Sequence, residues 1–372
     1  IASAAIPVYL LARRIGVGPA LSVAAGALAA SVPWVVLSSF LLTEVVAYPA
    51  FCWALLALVH AVDRKGWVWD AVALLAIAVA VLARTQFVVL VGVLLVAVAA
   101  AAALTVGTRG AAAELWRTRR PLVLLYAAAL AVVLVAVAAG EGSRLLGSYA
   151  VTAENVQIDL ELVQLAFAHA AAIALGLALL PFVVGLAWLV DRIRPSAAAP
   201  ERALALVGSA ALVLLTAQVA SFTQRFGFGL VKERYLFYVA PIVLVALAAA
   251  IASRTWPPWW AFAVPTAVAA LGFAWLPLDR YEKLNVDTPV AMLNDGLLGL
   301  ATTETWARVL LVLLAVVVLQ ALVLGRAFLP WRPIGAAAGA VAALALPLET
   351  AYAFERLFRV DGTNGLPVTL DQ

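Results

Sequence analysis

The stretch Val231-Lys-Glu-Arg-Tyr-Leu-Phe-Tyr-Val-Ala-Pro241 runs straight into Ile242-Val-Leu-Val-Ala-Leu-Ala-Ala-Ala-Ile-Ala252. Three ions, Lys232, Glu233 and Arg234, thus stand at the mouth of an uninterrupted apolar segment. About 20 such residues cross the hydrocarbon of a bilayer as a helix. Charge is costly at that depth, so ions placed there need a partner or a task.

The rest of the chain repeats the pattern. Of its 372 residues 66% are hydrophobic and 12% charged, with a mean hydropathy of +1.08. A soluble domain holds about 45–50% apolar and about 25% charged residues. The fold class is therefore an all-α, polytopic transmembrane helix bundle. Cutting at charges, Gly and Pro predicts eleven full spans: 17–42, 43–62, 67–83, 87–106, 121–140, 164–190, 203–222, 235–252, 257–277, 306–325 and 334–352. A partial span covers 1–12. Pro33 predicts a kink in the first full span. The run 67–106 is too long for one span and is divided only by Arg84-Thr85-Gln86, which predicts a tight turn at Arg84.

Strict alternation of these spans places 14 of the 24 cations and 5 of the 20 acids on one side. That side, at +9 against −5 for the other, is expected to be cytoplasmic. Glu44, Arg84-Thr85-Gln86, the loops 141–163, 223–234 and 278–305 and the C-terminal tail then collect outside. A pI near 9.4 is no sign of nucleic acid, since the formal charge is only +4 and the basic residues sit in short loops. Cys52 is the single cysteine, which excludes a disulfide within the chain. The usage of Ala, Val, Leu and Arg suits a GC-rich bacterial genome. The chain opens at Ile1 inside an apolar run, shows no signal peptide and closes on a polar tail. It is expected to be a piece of a longer polypeptide, with a transmembrane domain over 1–352 and the start of an extracytoplasmic segment over 353–372.

No Walker-type loop and no Gly-x-Gly-x-x-Gly is present, so an outward site would use a substrate activated elsewhere. Arg clamps phosphate oxygens as a fork and Lys acts as a point charge. Arg234 and Lys232, with Arg225 upstream and Tyr235 beside them, suit a phosphate on a lipid tail. The plain alternative is an interfacial anchor with Glu233 paired to Arg234. Arg84, with Gln86, offers a second phosphate contact or merely favours a helix C-terminus. Glu44 either lines a polar cavity or sits at a helix start behind a Thr43 cap. The segment 141–163 reads as an amphipathic surface helix, the acids of 278–305 as a solvated lid, and His169 as a hydrogen-bonded packing residue. Trp256-Pro-Pro-Trp-Trp260 reads as an aromatic belt. A divalent cation is compatible with this chemistry, but no ligand cluster supports one, and no cofactor is assigned.

Three stretches resemble GT-C type integral-membrane glycosyltransferases, which use polyprenyl-phosphate-linked sugars. Glu233-Arg-Tyr-Leu-Phe-Tyr-Val-Ala-Pro241 is similar to their Arg-Tyr helix start with a Pro following. Thr43-Glu44 before Ala47-Tyr48-Pro49 is similar to their Ser/Thr-Glu helix opening, and Leu82-Ala-Arg-Thr-Gln86 to their Thr-Arg turn. The resemblance implies a multi-pass protein of the bacterial plasma membrane with its active face extracytoplasmic. It implies inverting transfer of a sugar from a polyprenyl-phosphate donor to a hydroxyl on a glycan or glycolipid acceptor. Arg234 would bind the lipid phosphate, with Arg84, Lys232 and Tyr235 assisting and Glu44 lining the cavity. The family's general base lies in its first outer loop, so here it is expected to precede Ile1. The rival expectations are a lipid-linked-sugar flippase and a non-catalytic membrane scaffold.

Overall fold

The structure is a computed structural model that describes residues 2–39, 43–141, 158–227, 230–253, 255–278 and 303–358. Among the described residues every regular element is helical. The α-helices are α1 Ala5–Arg14, α2 Pro19–Ala29, α3 Glu44–Asp63, α4 Trp67–Ala83, α5 Val89–Val106, α6 Thr108–Ala138 and α7 Leu160–Gly176. They continue with α8 Leu179–Arg192, α9 Ala199–Phe226, α10 Ala240–Ala252, α11 Trp259–Trp275, α12 Glu304–Phe328 and α13 Trp331–Phe358. Short 3-10 turns occupy Pro33–Ser39, Thr85–Val88, Glu233–Tyr235 and Phe237–Val239.

Local chemistry sets several boundaries. Asp159 opens α7 by accepting from the Leu162 backbone N–H at 3.0 Å, and Thr303 opens α12 by accepting from Trp306 at 3.3 Å. Pro200 and Pro241 stand in the first turns of α9 and α10, where a missing N–H costs nothing. Pro121 disrupts the preceding turn of α6, and Arg119 there leaves helical geometry at φ −138°. The kink lets the Arg119 side chain reach Asp70 and the Ala61 carbonyl.

The expected eleven full spans are not what the structure supports. Among the described residues, six helices are long and apolar enough to cross a membrane, or up to eight if each of two bent pairs is one span. All eleven predicted segments contain helix, but three helical stretches, Trp67–Ala83, Phe237–Ala252 and Trp259–Trp275, have 17 residues or fewer. At 1.5 Å per residue these reach at most about 26 Å, short of a hydrocarbon core of about 30 Å. Two other segments are broken. The axis turns 56° between α2 and Pro33–Ser39, as Pro33 predicts, and 115° between α7 and α8. Ala178 at that second break has φ +59°. Several long apolar helices in one bundle make this a membrane-embedded protein.

α10 is apolar and buried on nearly every side, which puts it at the centre. α8 packs against it closely enough that a Cβ on Gly185 would lie 2.6 Å from the Val243 carbonyl oxygen. α11 and α7 meet at Gly272, whose added Cβ would lie 2.2 Å from the Phe167 carbonyl oxygen. At the other extreme, α6 exposes Leu130, Val132, Leu134 and Val135, a surface suited to acyl chains. The chain reverses at Arg84, between α4 and α5, where the turn is expected.

Ion pairs among the described residues sort the ends of the bundle. Glu44 and Asp63 stand at opposite ends of α3, about 29 Å apart at helical rise. Arg14–Asp63, Lys65–Glu114, Arg119–Asp70, Arg192–Glu201 and Arg194–Asp191 join residues that the charge bias assigns to one side. Glu44–Arg84, Glu44–Arg234 and Arg308–Glu304 join residues assigned to the other. The expected domain boundary at 352 falls inside α13, which continues to Phe358. The stretch 159–162, from which the surface helix within 141–163 is expected, instead opens α7: Asp159 is its cap and Leu160 its first residue. Residues 142–157, the acids of the 278–305 loop at 279–302 and the polar tail at 359–372 lie outside the described residues.

Candidate functional site

Glu44 is the first residue of α3, and its side chain is fully buried. A carboxylate there must be compensated. Two cations do so from separate elements. Arg84, in extended backbone (φ −159°) where α4 stops, donates from Nη1 to Glu44 Oε1. Arg234, in the turn Glu233–Tyr235, donates from Nε to the same oxygen at 2.6 Å, and its Nη2 lies 3.4 Å from Oε2. Thr43 makes no side-chain cap, so the expected capping alternative does not hold; its hydroxyl turns 3.5 Å from Glu44 Oε2.

Aromatic rings form the floor. Arg84 donates to the Tyr238 hydroxyl at 2.9 Å and its guanidinium carbon lies 5.0 Å from the Tyr235 ring and 5.6 Å from Tyr238. Arg234 lies 5.7 Å from the Tyr235 ring. These distances are within cation–π range. Tyr48, one turn after Glu44, stacks on Phe237 at 5.1 Å, and Phe87 meets Tyr238 edge-on at 4.8 Å. Gln86 ties the turns together by donating to the Tyr235 carbonyl at 2.7 Å, and Gln218 of α9 donates to the Gln86 carbonyl at 3.1 Å. Glu233 is buried and accepts from the Trp34 indole at 2.8 Å.

Of the expected site residues, Glu44, Arg84, Gln86, Arg234 and Tyr235 come together. Lys232 stands beside them and donates its backbone N–H to His169 Nε2 at 3.3 Å. His169 is itself buried and bonded to Leu165 O and the Thr223 hydroxyl, a packing hub. Arg225, in the last turn of α9, joins neither Glu44 nor any other acceptor among the described residues. Tyr238, Trp34 and Gln218 complete the site without having been singled out in the sequence. The three-residue spacing of Tyr235 and Tyr238 is the available signal for the first. No group of three or more His, Cys, Asp or Glu that could hold a metal forms among the described residues.

A cavity of about 550 Å³ lies beside this cluster. Leu236 and Val239, immediately after Arg234 and Tyr235, form part of its wall. α7, α8, α9 and α11 supply the rest, including Phe167, Phe182 and Leu212, and the lining is almost wholly apolar. The arrangement therefore couples a cationic, aromatic headpiece to an apolar hollow. Neither protein-family models, curated proteins nor solved structures give a match to this chain.

Proposed function

We propose that the protein transfers a sugar from a polyprenyl-phosphate donor to an acceptor hydroxyl on a glycan or glycolipid, as a glycosyltransferase of GT-C type. The observation that carries the reading is the closure of Arg84 and Arg234, from separate helix ends, on the single carboxylate of Glu44. Two guanidiniums from separate elements aimed at one carboxylate make a headpiece rich in the forked donors that suit phosphate oxygens. The apolar cavity starting at Leu236 offers the adjoining tail a place. The site opens on the extracytoplasmic side of the plasma membrane in this reading, following the charge bias of the loops.

In the reaction the acceptor oxygen attacks the anomeric carbon and forms the new C–O bond. The bond from that carbon to the phosphate oxygen breaks, and its electron pair stays on the departing polyprenyl phosphate. Guanidinium groups aimed at that oxygen stabilise the developing charge, a contribution of about 3–4 kcal/mol per well-placed donor. The hydroxyl proton passes to a carboxylate base. Glu44 is engaged by both cations, so it serves to position Arg84 and Arg234.

A second reading, a lipid-linked-sugar flippase, is favoured by the two broken helix pairs, since interrupted helices mark many transporters. Reconstitution of the natural full-length polypeptide in vesicles with a polyprenyl-phosphate sugar separates the two. Release of polyprenyl phosphate with glycosylated acceptor is the expected result, and movement of intact donor across the bilayer without cleavage replaces it with the flippase.

A further inference from the structure

All three guanidinium nitrogens of Arg225 are shut off from solvent, and among the described residues none has a hydrogen-bond partner. A guanidinium is always charged and carries five N–H donors. Burying it uncompensated costs several kcal/mol, so such a group marks a ligand or a strain. Among the described residues, the acids Glu44, Asp159 and Glu233 stand at this end of the bundle and all are engaged, Glu233 by the Trp34 indole. Glu44 is taken by Arg84 and Arg234. Asp159 is taken by Gln224 at 2.8 Å and by the Leu162 backbone. A cation in the last turn of a helix ordinarily caps terminal carbonyls, and Arg225 caps none.

Helical periodicity says where Arg225 looks. Gln218, Phe222 and Arg225 follow at i, i+4 and i+7, within about 60° of one another around α9. Gln218 on that face donates to the Gln86 carbonyl, and Phe222 meets the Tyr235 ring edge-on at 5.2 Å. Helical side chains lean toward the N-terminus, which carries Arg225 back toward Phe222 and Tyr235. Gln218 Oε1 on the same face is also buried without a donor.

We propose that Arg225 is the primary anchor for the phosphate of an anionic, lipid-borne ligand, while Arg84 and Arg234, already joined to Glu44, complete its shell. The inference rests on the lipid-phosphate reading of this site and assigns its first contact. One fork of two parallel N–H donors then meets two phosphate oxygens.

The test uses the full chain, purified in detergent, with farnesyl phosphate, farnesol and inorganic phosphate as probes. Wild type is expected to bind farnesyl phosphate at least about tenfold tighter than farnesol. Arg225→Gln is expected to lose at least about tenfold for farnesyl phosphate and nothing for farnesol, with Arg225→Lys between. Without ligand, Arg225→Gln is expected to melt at or above wild type, because it removes an uncompensated buried cation. Unchanged farnesyl phosphate affinity in Arg225→Gln overturns the proposal, as does a lower melting temperature with farnesol binding lost as well. Arg225-dependent binding of inorganic phosphate equal to that of farnesyl phosphate supports the anchor and removes the lipid as its source. Arg225-dependent binding with no sugar transfer by the natural full-length polypeptide keeps this inference and removes the glycosyltransferase.

Discussion

Arg84 and Arg234 share one oxygen of Glu44, Oε1, although one closes α4 and the other precedes α10. Their mutual repulsion is tolerable only because the carboxylate lies between them. Replacing Glu44 by Gln leaves two cations in a pocket where their side chains are 11% and 18% exposed. Breaking a buried pair on one side costs about 3–5 kcal/mol. Glu44→Gln is therefore expected to lower the melting temperature in detergent by many degrees. The pair Glu44→Gln with Arg84→Gln is expected to recover part of the loss, and strict additivity of the two single changes counts against the shared-carboxylate picture.

Arg84 does three things at once: it pairs with Glu44, donates to Tyr238 and lies over the ring of Tyr235. Lysine keeps the charge but not the planar fork. Arg84→Lys is expected to fold and to slow transfer by about 10–100-fold. Tyr238→Phe removes one hydrogen-bond acceptor at a cost of about 1 kcal/mol in melting experiments. Equal turnover of Arg84→Lys and wild type in the vesicle assay would take Arg84 out of the phosphate shell.

The opposite end of the bundle holds a second buried ion pair, Arg119 with Asp70, made reachable by the kink at Pro121. It is far from Glu44 along α3 and α4. Asp70→Asn is expected to destabilise by about 3–5 kcal/mol, and the double change Asp70→Leu with Arg119→Met by far less. Thermal melts of the three proteins check this. A double variant no more stable than Asp70→Asn alone would mean that the pair does more than satisfy itself.

Side assignment is open to direct labelling because the native thiol, Cys52, is buried. Arg117→Cys lies at the highly basic end, and Ile158→Cys, 87% exposed in the native side chain, precedes α7 at the end holding Asp159 and Gln224. An impermeant maleimide applied to sealed right-side-out vesicles is expected to label position 158 and spare 117. Labelling of both, or the reverse, sinks the extracytoplasmic placement.

What the sequence made legible follows from which interactions are local. Apolar runs and loop charges fix where helices form and which ion pairs can meet, and Arg84, Gln86 and Arg234 stand out because polar groups at helix ends are few. Their convergence on Glu44 is tertiary, and the role of Glu44 as counter-ion depends on partners far away in the chain. Span count fails for a related reason. Hydropathy does not register that α10 begins only at Ala240, behind two 3-10 turns, or that the axis swings at Leu177–Ala178. Gly176 and Pro181, on either side of it, are the hints at that second break. Arg225 was readable as one more cation near the motif, but its lack of an acceptor among the described residues is a property of the packed structure alone.

That packing predicts a last result, at Gly272. The backbone of α11 approaches α7 so closely that even a methyl group would sit 2.2 Å from the Phe167 carbonyl oxygen and 2.6 Å from the Ala171 Cβ. Both obstacles belong to α7 and neither is the end of a flexible side chain, so relief requires moving one helix against the other. The same two helices line the apolar cavity through Phe167, Ala170 and Pro265. Gly272→Ala is expected to cost about 1–3 kcal/mol as an overpacked contact, and Gly272→Val more. Because separation of α7 from α11 widens the cavity, these variants should also weaken farnesol binding while leaving the Glu44 ion pairs in place. A Gly272→Val protein with wild-type melting temperature and wild-type farnesol affinity would show that the two helices do not meet as closely as described.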